Sequence, residues 1–211
     1  MRTTTPLRLV LASASPARLR ILRDAGIDAD VLVSGVDESA VDAVRADLLC
    51  AELARLKAEA VADRLRAVDR TIAGTLVLGC DSVLGLDGEI LGKPDDADDA
   101  VKRWRAMRGR EGVLHTGHCL IDVAGGRAAE AVAATTVRFA DVTDDEITAY
   151  VATGEPLRVA GAFTIDGIGG AFVERIDGNH GTVVGLSLPL LRRMLGELGV
   201  RITDLWRPGL G

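Results

Sequence analysis

The sequence predicts an α/β fold on a largely mixed sheet rather than a strict βαβ array. Three observations lead there. A strand, a turn and a helix open the chain; a long amphipathic helix runs into the most apolar strand; and the second half is richer in strands, paired as hairpins around Gly-containing turns. With 211 residues, 48% of them hydrophobic, the chain can bury a sizeable core. Residues 1–211 are therefore read as a single domain, with a lobe boundary near residues 108–115.

The elements follow in order. Residues 7–12 are an unbroken apolar run and read as a buried strand. Ser13-Ala14-Ser15-Pro16 turns the chain into a helix, because Pro suits an early helical position. That helix passes through Leu19 and Leu22 and ends at Gly26, a C-terminal cap. Residues 29–33 form a second strand and residues 35–39 a loop. From residue 46 to 67, Leu49, Leu53, Leu56 and Ala60 keep one helical stripe. Lys57 lies beside that stripe, able to bury its stem and present its amine at the edge of the core. Residues 75–80 are a strong strand expected to end at Asp81-Ser82, and residues 83–86 and 89–91 then flank the hairpin turn Asp87-Gly88. A helix over residues 97–107 follows Gly92-Lys93-Pro94. Strands over 115–123 and 127–137 flank Gly125-Gly126, and a helix with acids in its first turn covers 144–153. Residues 171–176 form a strand ending at Asp177-Gly178, and residues 183–198 a helix interrupted near Pro189.

Composition narrows the functional classes. The formal charge is -6 and aromatics make up 3%, which argues against a nucleic-acid-binding surface. An anionic ligand would need a local basic pocket. Cys50, Cys80 and Cys119 are widely spaced without a CxxC pair, so they read as small buried side chains rather than a zinc or disulfide framework. Reduced thiols fit a cytoplasmic protein. The run at 7–12 is too short for a signal segment, and no apolar run could span a bilayer, so no membrane association is expected.

Five features could carry chemistry. The strand-to-helix turn with Ser13 and Ser15, followed by Arg18 and Arg20, combines free backbone N–H groups, hydroxyl donors and positive charge. It is an anion site or an ordinary helix cap with solvated arginines; the Gly-x4-Gly-Lys pattern of a P-loop is missing. Asp81 follows an apolar strand, where a carboxylate can hold Mg²⁺ or take a proton from water, or simply cap a turn. Lys57 and Lys93 can neutralise charge on phosphoryl oxygens or stand as solvated charges. Glu38 and Glu155, in loops near Gly35 and Gly154, could complete a carboxylate set with Asp81 for a hard cation, or be surface acids. Residues 160–170, with four glycines, let the backbone approach a flat ligand, and Asp166 there could accept from a base N–H or close a β-connection. His115, His118 and His180 show no metal-ligand spacing, His118 reads as structural, and no Gly-x-Ser-x-Gly elbow is present.

Taken in order, these pieces resemble the Maf family of nucleotide pyrophosphatases, also called septum-formation-inhibitor-like proteins. The matching segments are Leu11-Ala12-Ser13-Ala14-Ser15-Pro16 with Arg18, Val36-Asp37-Glu38, Lys57-Ala58, Gly79-Cys80-Asp81-Ser82 and Gly88-Glu89-Ile90-Leu91-Gly92-Lys93-Pro94. Tyr150-Val151, Glu155-Pro156-Leu157, Ala160-Gly161-Ala162-Phe163 and Val184-Gly185-Leu186 continue the series. The resemblance implies an elongated fold related to inosine triphosphate pyrophosphatases, with a deep cleft between two lobes. It implies hydrolysis of the α–β phosphoanhydride of a nucleoside triphosphate with a divalent cation, Mg²⁺ or Mn²⁺.

By the same resemblance Asp81 is the catalytic base, supported by Lys57, Lys93 and Glu38, and Asp81 and Glu38 hold the metal. Ser13, Ser15, Arg18, Ser82, Glu155 and Asp166 are expected to bind substrate. A homodimer is expected too. Ala17 stands where members preferring dTTP and UTP carry an arginine, Val159 replaces a lysine common in that group, and Asp166 replaces a glutamine. Asp166 is closer to members acting on 7-methyl-GTP, which carry Trp at the Ala17 position. Modified nucleotides such as 7-methyl-GTP and the pyrimidine triphosphates dTTP, UTP and CTP therefore both stand as expected substrates. The alternatives are clearance of deaminated purine triphosphates and a non-enzymatic regulator of cell division that binds a protein partner.

Overall fold

The computed structural model describes residues 6–41, 43–68 and 72–207. The sheet is mixed and has seven strands, ordered β2-β1-β3-β5-β6-β7, with β4 pairing to β3 off this path. The strands are β1 (Arg8–Leu11), β2 (Ala29–Val31), β3 (Thr75–Leu86), β4 (Glu89–Leu91), β5 (Glu111–Asp122), β6 (Ala128–Phe139) and β7 (Val173–Asp177). β1 pairs in parallel with β2 and β3; every other pairing is antiparallel. The helices are α1 (Pro16–Asp24), α2 (Ala46–Val68), α3 (Ala97–Met107), α4 (Asp144–Ala152), α5 (His180–Val184) and α6 (Leu188–Glu197). No described helix is long and apolar enough to cross a membrane.

β3 is the axis on which everything else hangs. Its alternation sends Leu76, Leu78 and Cys80 into a core with α1 and α6, and Val77 into a second core against α2. Further along, Leu84 and Leu86 enter a third core with α3, α4 and the rings of Phe139, Tyr150 and Phe163. α2 lies unusually close to the sheet, and two glycines permit it. A Cβ at Gly79 would come within 2.2 Å of the Ala54 carbonyl oxygen, and one at Gly117 within 2.1 Å of that of Cys50. The apolar stripe of α2, Leu53, Ala54, Ala58, Val61, Ala62 and Leu65, completes the contact and leaves Lys57 in the same buried face.

The third core is built around Trp104 of α3, whose ring meets Phe139, Tyr150 and Phe172 edge-on at centroid separations of 5.8, 5.5 and 5.7 Å. Its indole N–H donates to the Ala162 carbonyl at 2.8 Å. That bond pins a turn in which Gly161 and Ala162 both take positive φ, +71° and +56°. The N–H of Gly161 in turn donates to the Gly92 carbonyl, which also accepts from Arg103, so the backbone beside Lys93 is held from two sides.

Three expectations need correction. Asp81 does not end a strand: β3 continues through it to Leu86, because β5 pairs with β3 from Leu76 to Gly85 without a break. The interruption of the last helix falls at residues 185–187, ahead of Pro189, which is an early residue of α6 capped by Ser187. Residues 168–172 form 3₁₀ turns, and β7 begins only at Val173. The segment 108–115 comprises the residue capping α3, a turn at Gly109 and the first residues of β5.

Candidate active site

The site arises from an interruption in sheet pairing. On the edge of β3 opposite β5, residues 75–78 pair with β1 and residues 84–86 with β4. Residues 79–83 have no strand partner on that side among the described residues. Asp81 and Ser82 sit in this bare stretch, and the alternation of the strand turns their side chains to opposite faces of the sheet. A ligand laid across the edge would meet both.

On the α2 face, Lys57 Nζ lies 2.5 Å from Asp81 Oδ1 and 2.8 Å from Glu38 Oε1. Lys57 and Asp81 are each only 7% exposed, so this is a nearly dry ion pair with Glu38 at its solvent side. Glu38 opens a short 3₁₀ turn, Glu38–Ala40, capped by the Asp37 side chain. The two carboxylates respond in opposite ways. Burial pushes the Asp81 carboxyl above its ordinary range, although Lys57 and Arg18 pull it down and Glu38 adds repulsion. Burial also pushes Glu38 up, but Lys57, Lys93 and Arg18 outweigh it and hold Glu38 below the usual range. That balance brings Arg18 and Lys93 within electrostatic reach of the same carboxylates.

On the other face stands Arg18. Its Nε donates to the Gly185 carbonyl at 2.8 Å, one terminal nitrogen to Ser13 Oγ at 3.0 Å and the other to Ser82 Oγ at 3.1 Å. A guanidinium has five N–H donors, so two remain for an incoming anion. Ser13 Oγ also accepts from the Ser15 N–H at 3.2 Å, and its own hydrogen has no acceptor among the described residues. Ser15 caps α1, accepting from the Arg18 N–H at 3.4 Å. The opening turn is therefore both a cap and a cluster of unspent donors.

The other expected residues are placed differently. Glu155 does not join Asp81 and Glu38: its oxygens accept from the Tyr150 hydroxyl, the Thr164 hydroxyl and the N–H groups of Ile168 and Gly169. No group of three or more potential metal-ligating side chains occurs among the described residues, so the three-carboxylate set is not formed. Burial raises the Glu155 pKa, but these bonds outweigh it and hold the carboxyl low; its work is to shape the glycine-rich loop. Asp166, on that loop, pairs with Arg20 of α1 across the mouth of a cavity of about 610 Å³ lined also by Ile21, Val184 and Leu188.

His118 is structural, as expected. Its Nδ1 contacts the Thr116 carbonyl and its Nε2 accepts from the Ser187 N–H, and burial lowers its pKa to about 4. The three thiols are buried and pushed up to about 12, by burial first. Sequence reasoning missed Thr116, the Gly185 carbonyl and the Arg20–Asp166 pair. Arg20, Asp166 and Gly185 each stand in segments of interest, but every one of these groups lies far in sequence from its partner, so the pairings themselves leave no local signal.

Comparison with known proteins matches this architecture to one family. A model described as Maf-like protein matches residues 8–198. The chain belongs to the Maf family. A relative from Salinispora tropica is 69% identical over 210 residues, covering 99% of this chain and 92% of its own. One from Streptomyces coelicolor is 60% identical over 201 residues, covering 95% of each. One from Trichormus variabilis is 49% identical over 207 residues, covering 98% of this chain and all of its own. All three are named nucleoside triphosphate pyrophosphatase. Within this Maf chain, the matched span takes in every residue that the bare edge of β3 gathers.

Proposed function

We propose that the chain hydrolyses nucleoside triphosphates to nucleoside monophosphate and pyrophosphate, with the triphosphate lying across the open edge of β3. One observation carries the reading: a buried carboxylate, Asp81, shares a strand edge with Lys57, Arg18 and Ser13, so an acid able to activate water adjoins donors suited to a polyphosphate. Arg18 and Ser13 direct their unspent donors at phosphoryl oxygens, and Lys57 and Lys93 add positive charge. Asp81 orients the attacking water and accepts its proton. The relatives' printed names point to the same activity.

A divalent cation, Mg²⁺ or Mn²⁺, fits the donor set. Asp81 and Glu38 each spend one oxygen on Lys57, and the other oxygen of each has no partner among the described residues. Two carboxylate oxygens completed by waters and phosphate oxygens suit Mg²⁺. When bound there, the cation neutralises charge building on the phosphate oxygens. Base choice turns on Asp166, whose carboxylate accepts and so reads base N–H groups; 7-methyl-GTP presents adjacent N–H donors, and the pyrimidine triphosphates present fewer.

The test is pyrophosphate release from UTP, dTTP, CTP, 7-methyl-GTP, ITP and XTP, with Mg²⁺ and Mn²⁺ separately. Asp81→Asn should lower the rate on the best substrate by about 10²–10⁴-fold, the worth of a general base. Near-normal release by that variant would refute the assignment.

A further inference from the structure

The geometry points to Thr116 as a positioning residue that fixes Ser82 as an acceptor for Arg18 and so keeps Ser82 from serving as a phosphate donor. This rests on the reading of Arg18 as a phosphate ligand. The argument is one of hydrogen counting. Thr116 is fully buried in β5, paired in register with Ser82. Its hydroxyl donates to the Thr182 carbonyl at 2.8 Å. That carbonyl lies near the end of α5, beyond the reach of an intrahelical partner, and a carbonyl can only accept.

Thr116 has one hydrogen, and it is committed. In the 2.9 Å contact between Ser82 Oγ and Thr116 Oγ1, the donor is therefore Ser82. Ser82 also has one hydrogen, so toward Arg18 its oxygen accepts, as the 3.1 Å contact requires. The bonds run in one direction, from the Arg18 N–H to Ser82, from Ser82 to Thr116 and from Thr116 to Thr182. Phosphate oxygens need donors, and the Ser82 hydrogen is already given away. Ser13 differs: it accepts twice and keeps its hydrogen free.

The same chain ties α5 to the sheet. Arg18 Nε bonds to the Gly185 carbonyl just past α5, Thr116 holds the Thr182 carbonyl, and Thr135 of β6 holds Asn179 through both its N–H and its carbonyl. The guanidinium is thus set against β3 by Ser82 and against α5 by Gly185, which fixes the plane in which its two remaining N–H groups lie.

The experiment measures binding of inorganic tripolyphosphate in Mg²⁺, a base-free probe, alongside KM and kcat on the fastest nucleotide of the panel. Thr116→Val keeps the shape and removes the hydroxyl. It should weaken tripolyphosphate binding and raise KM by roughly two- to tenfold, the worth of one hydrogen bond, with kcat less affected. Thr116→Ser should restore both. Ser82→Ala should cause a similar loss alone and little more in the Thr116→Val background, because the two act through one chain of bonds.

Full additivity of Ser82→Ala and Thr116→Val would overturn the proposal, since it would make Ser82 a direct ligand. So would a Thr116→Val protein that binds normally while Arg18→Ala does not. If Arg18→Ala itself binds tripolyphosphate normally, the phosphate role of Arg18 fails and the positioning role with it. Should Thr116→Val melt too low to assay, the Ser82→Ala and Thr116→Ser pair decides. A Thr116→Ser protein as impaired as Ser82→Ala would show that the methyl group, not the hydroxyl, is what matters.

Discussion

Replacing Lys57 by Met tests the buried pair most directly. Met keeps the stem volume inside the α2 face and removes the ammonium. Two contacts disappear, 2.5 Å to Asp81 and 2.8 Å to Glu38. Removing one partner of a buried pair costs about 3–5 kcal/mol, because the remaining charge is left uncompensated. The Glu38 contact is half exposed and adds about 0–1 kcal/mol at most. For a chain of this size each kcal/mol lowers Tm by about 2–4 °C, so the variant should melt roughly 6–24 °C below the parent near pH 8.

The deficit also has a sign in pH. Without Lys57 the folded pKa of Asp81, already raised by burial, rises further. A carboxyl whose folded pKa lies above its unfolded value loses stability as pH climbs between the two and keeps that loss above the folded one. The gap between variant and parent should therefore be smaller near about pH 5 than near about pH 8. Calorimetric melts at the two pH values decide. An unchanged Tm at the higher pH, or a deficit that ignores pH, would refute the claim that Lys57 acts by compensating a buried charge.

Three further outcomes are expected. Gly117→Ala must push against the Cys50 carbonyl, so it should cost about 1–3 kcal/mol and displace Lys57; a melt and a pyrophosphate assay should fall together. The acid limb of kcat/KM should lie above the ordinary aspartate range of about 3.9, because Asp81 must be ionised and burial raises its pKa; a pH–rate profile with a limb at or below that range would contradict its role. His118 is neutral in the fold, with a pKa lowered to about 4, while the unfolded chain takes up a proton near 6.5. Its contribution is present above about 6.5 and lost as pH falls toward about 4, so in urea titrations His118→Gln should be more destabilising near pH 7 than near pH 5.

Much of this was legible in the chain because the signals are local. Pro16 after Ser15 predicts α1 and its cap, and the Asp87-Gly88 turn predicts the β3–β4 hairpin; Asp87 and Gly88 adopt φ of +51° and +88° as such a turn needs. Periodicity puts Leu49, Leu53, Leu56 and Ala60 on the inner face of α2 with Lys57 beside them, but the buried face is turned to Cys50, Leu53, Ala54, Lys57, Ala58 and Val61, and Leu49, Leu56 and Ala60 are only half-buried. What it could not show is how deep the amine sits. That depends on Gly79 and Gly117, glycines that punctuate strands in sequence but serve here as landing surfaces for a helix. The polar pair Asp81-Ser82 after the apolar run of residues 75–80 predicts a strand end there; the long antiparallel partner β5, remote in sequence, carries the strand onward. Glu155 shows the opposite failure. Its loop position near glycines suggested a cation ligand, yet four local donors claim its oxygens. Charge and loop context alone do not say which way a carboxylate turns.

The bare stretch of β3 behaves as an aperture whose width is set by strand lengths rather than by loop shape. One jamb is the last residue of β1, where the Ser-Pro turn leads the chain out of the sheet; the other is Leu91, the last residue of β4, paired with Leu84. Two more residues of pairing at either jamb would advance it by about 7 Å and narrow the opening from five residues to three. Chains meant to admit longer or shorter phosphate tails would therefore be sought by deleting or inserting residues within these two strands, with Ser13 and Lys93, the second residue beyond each jamb, kept.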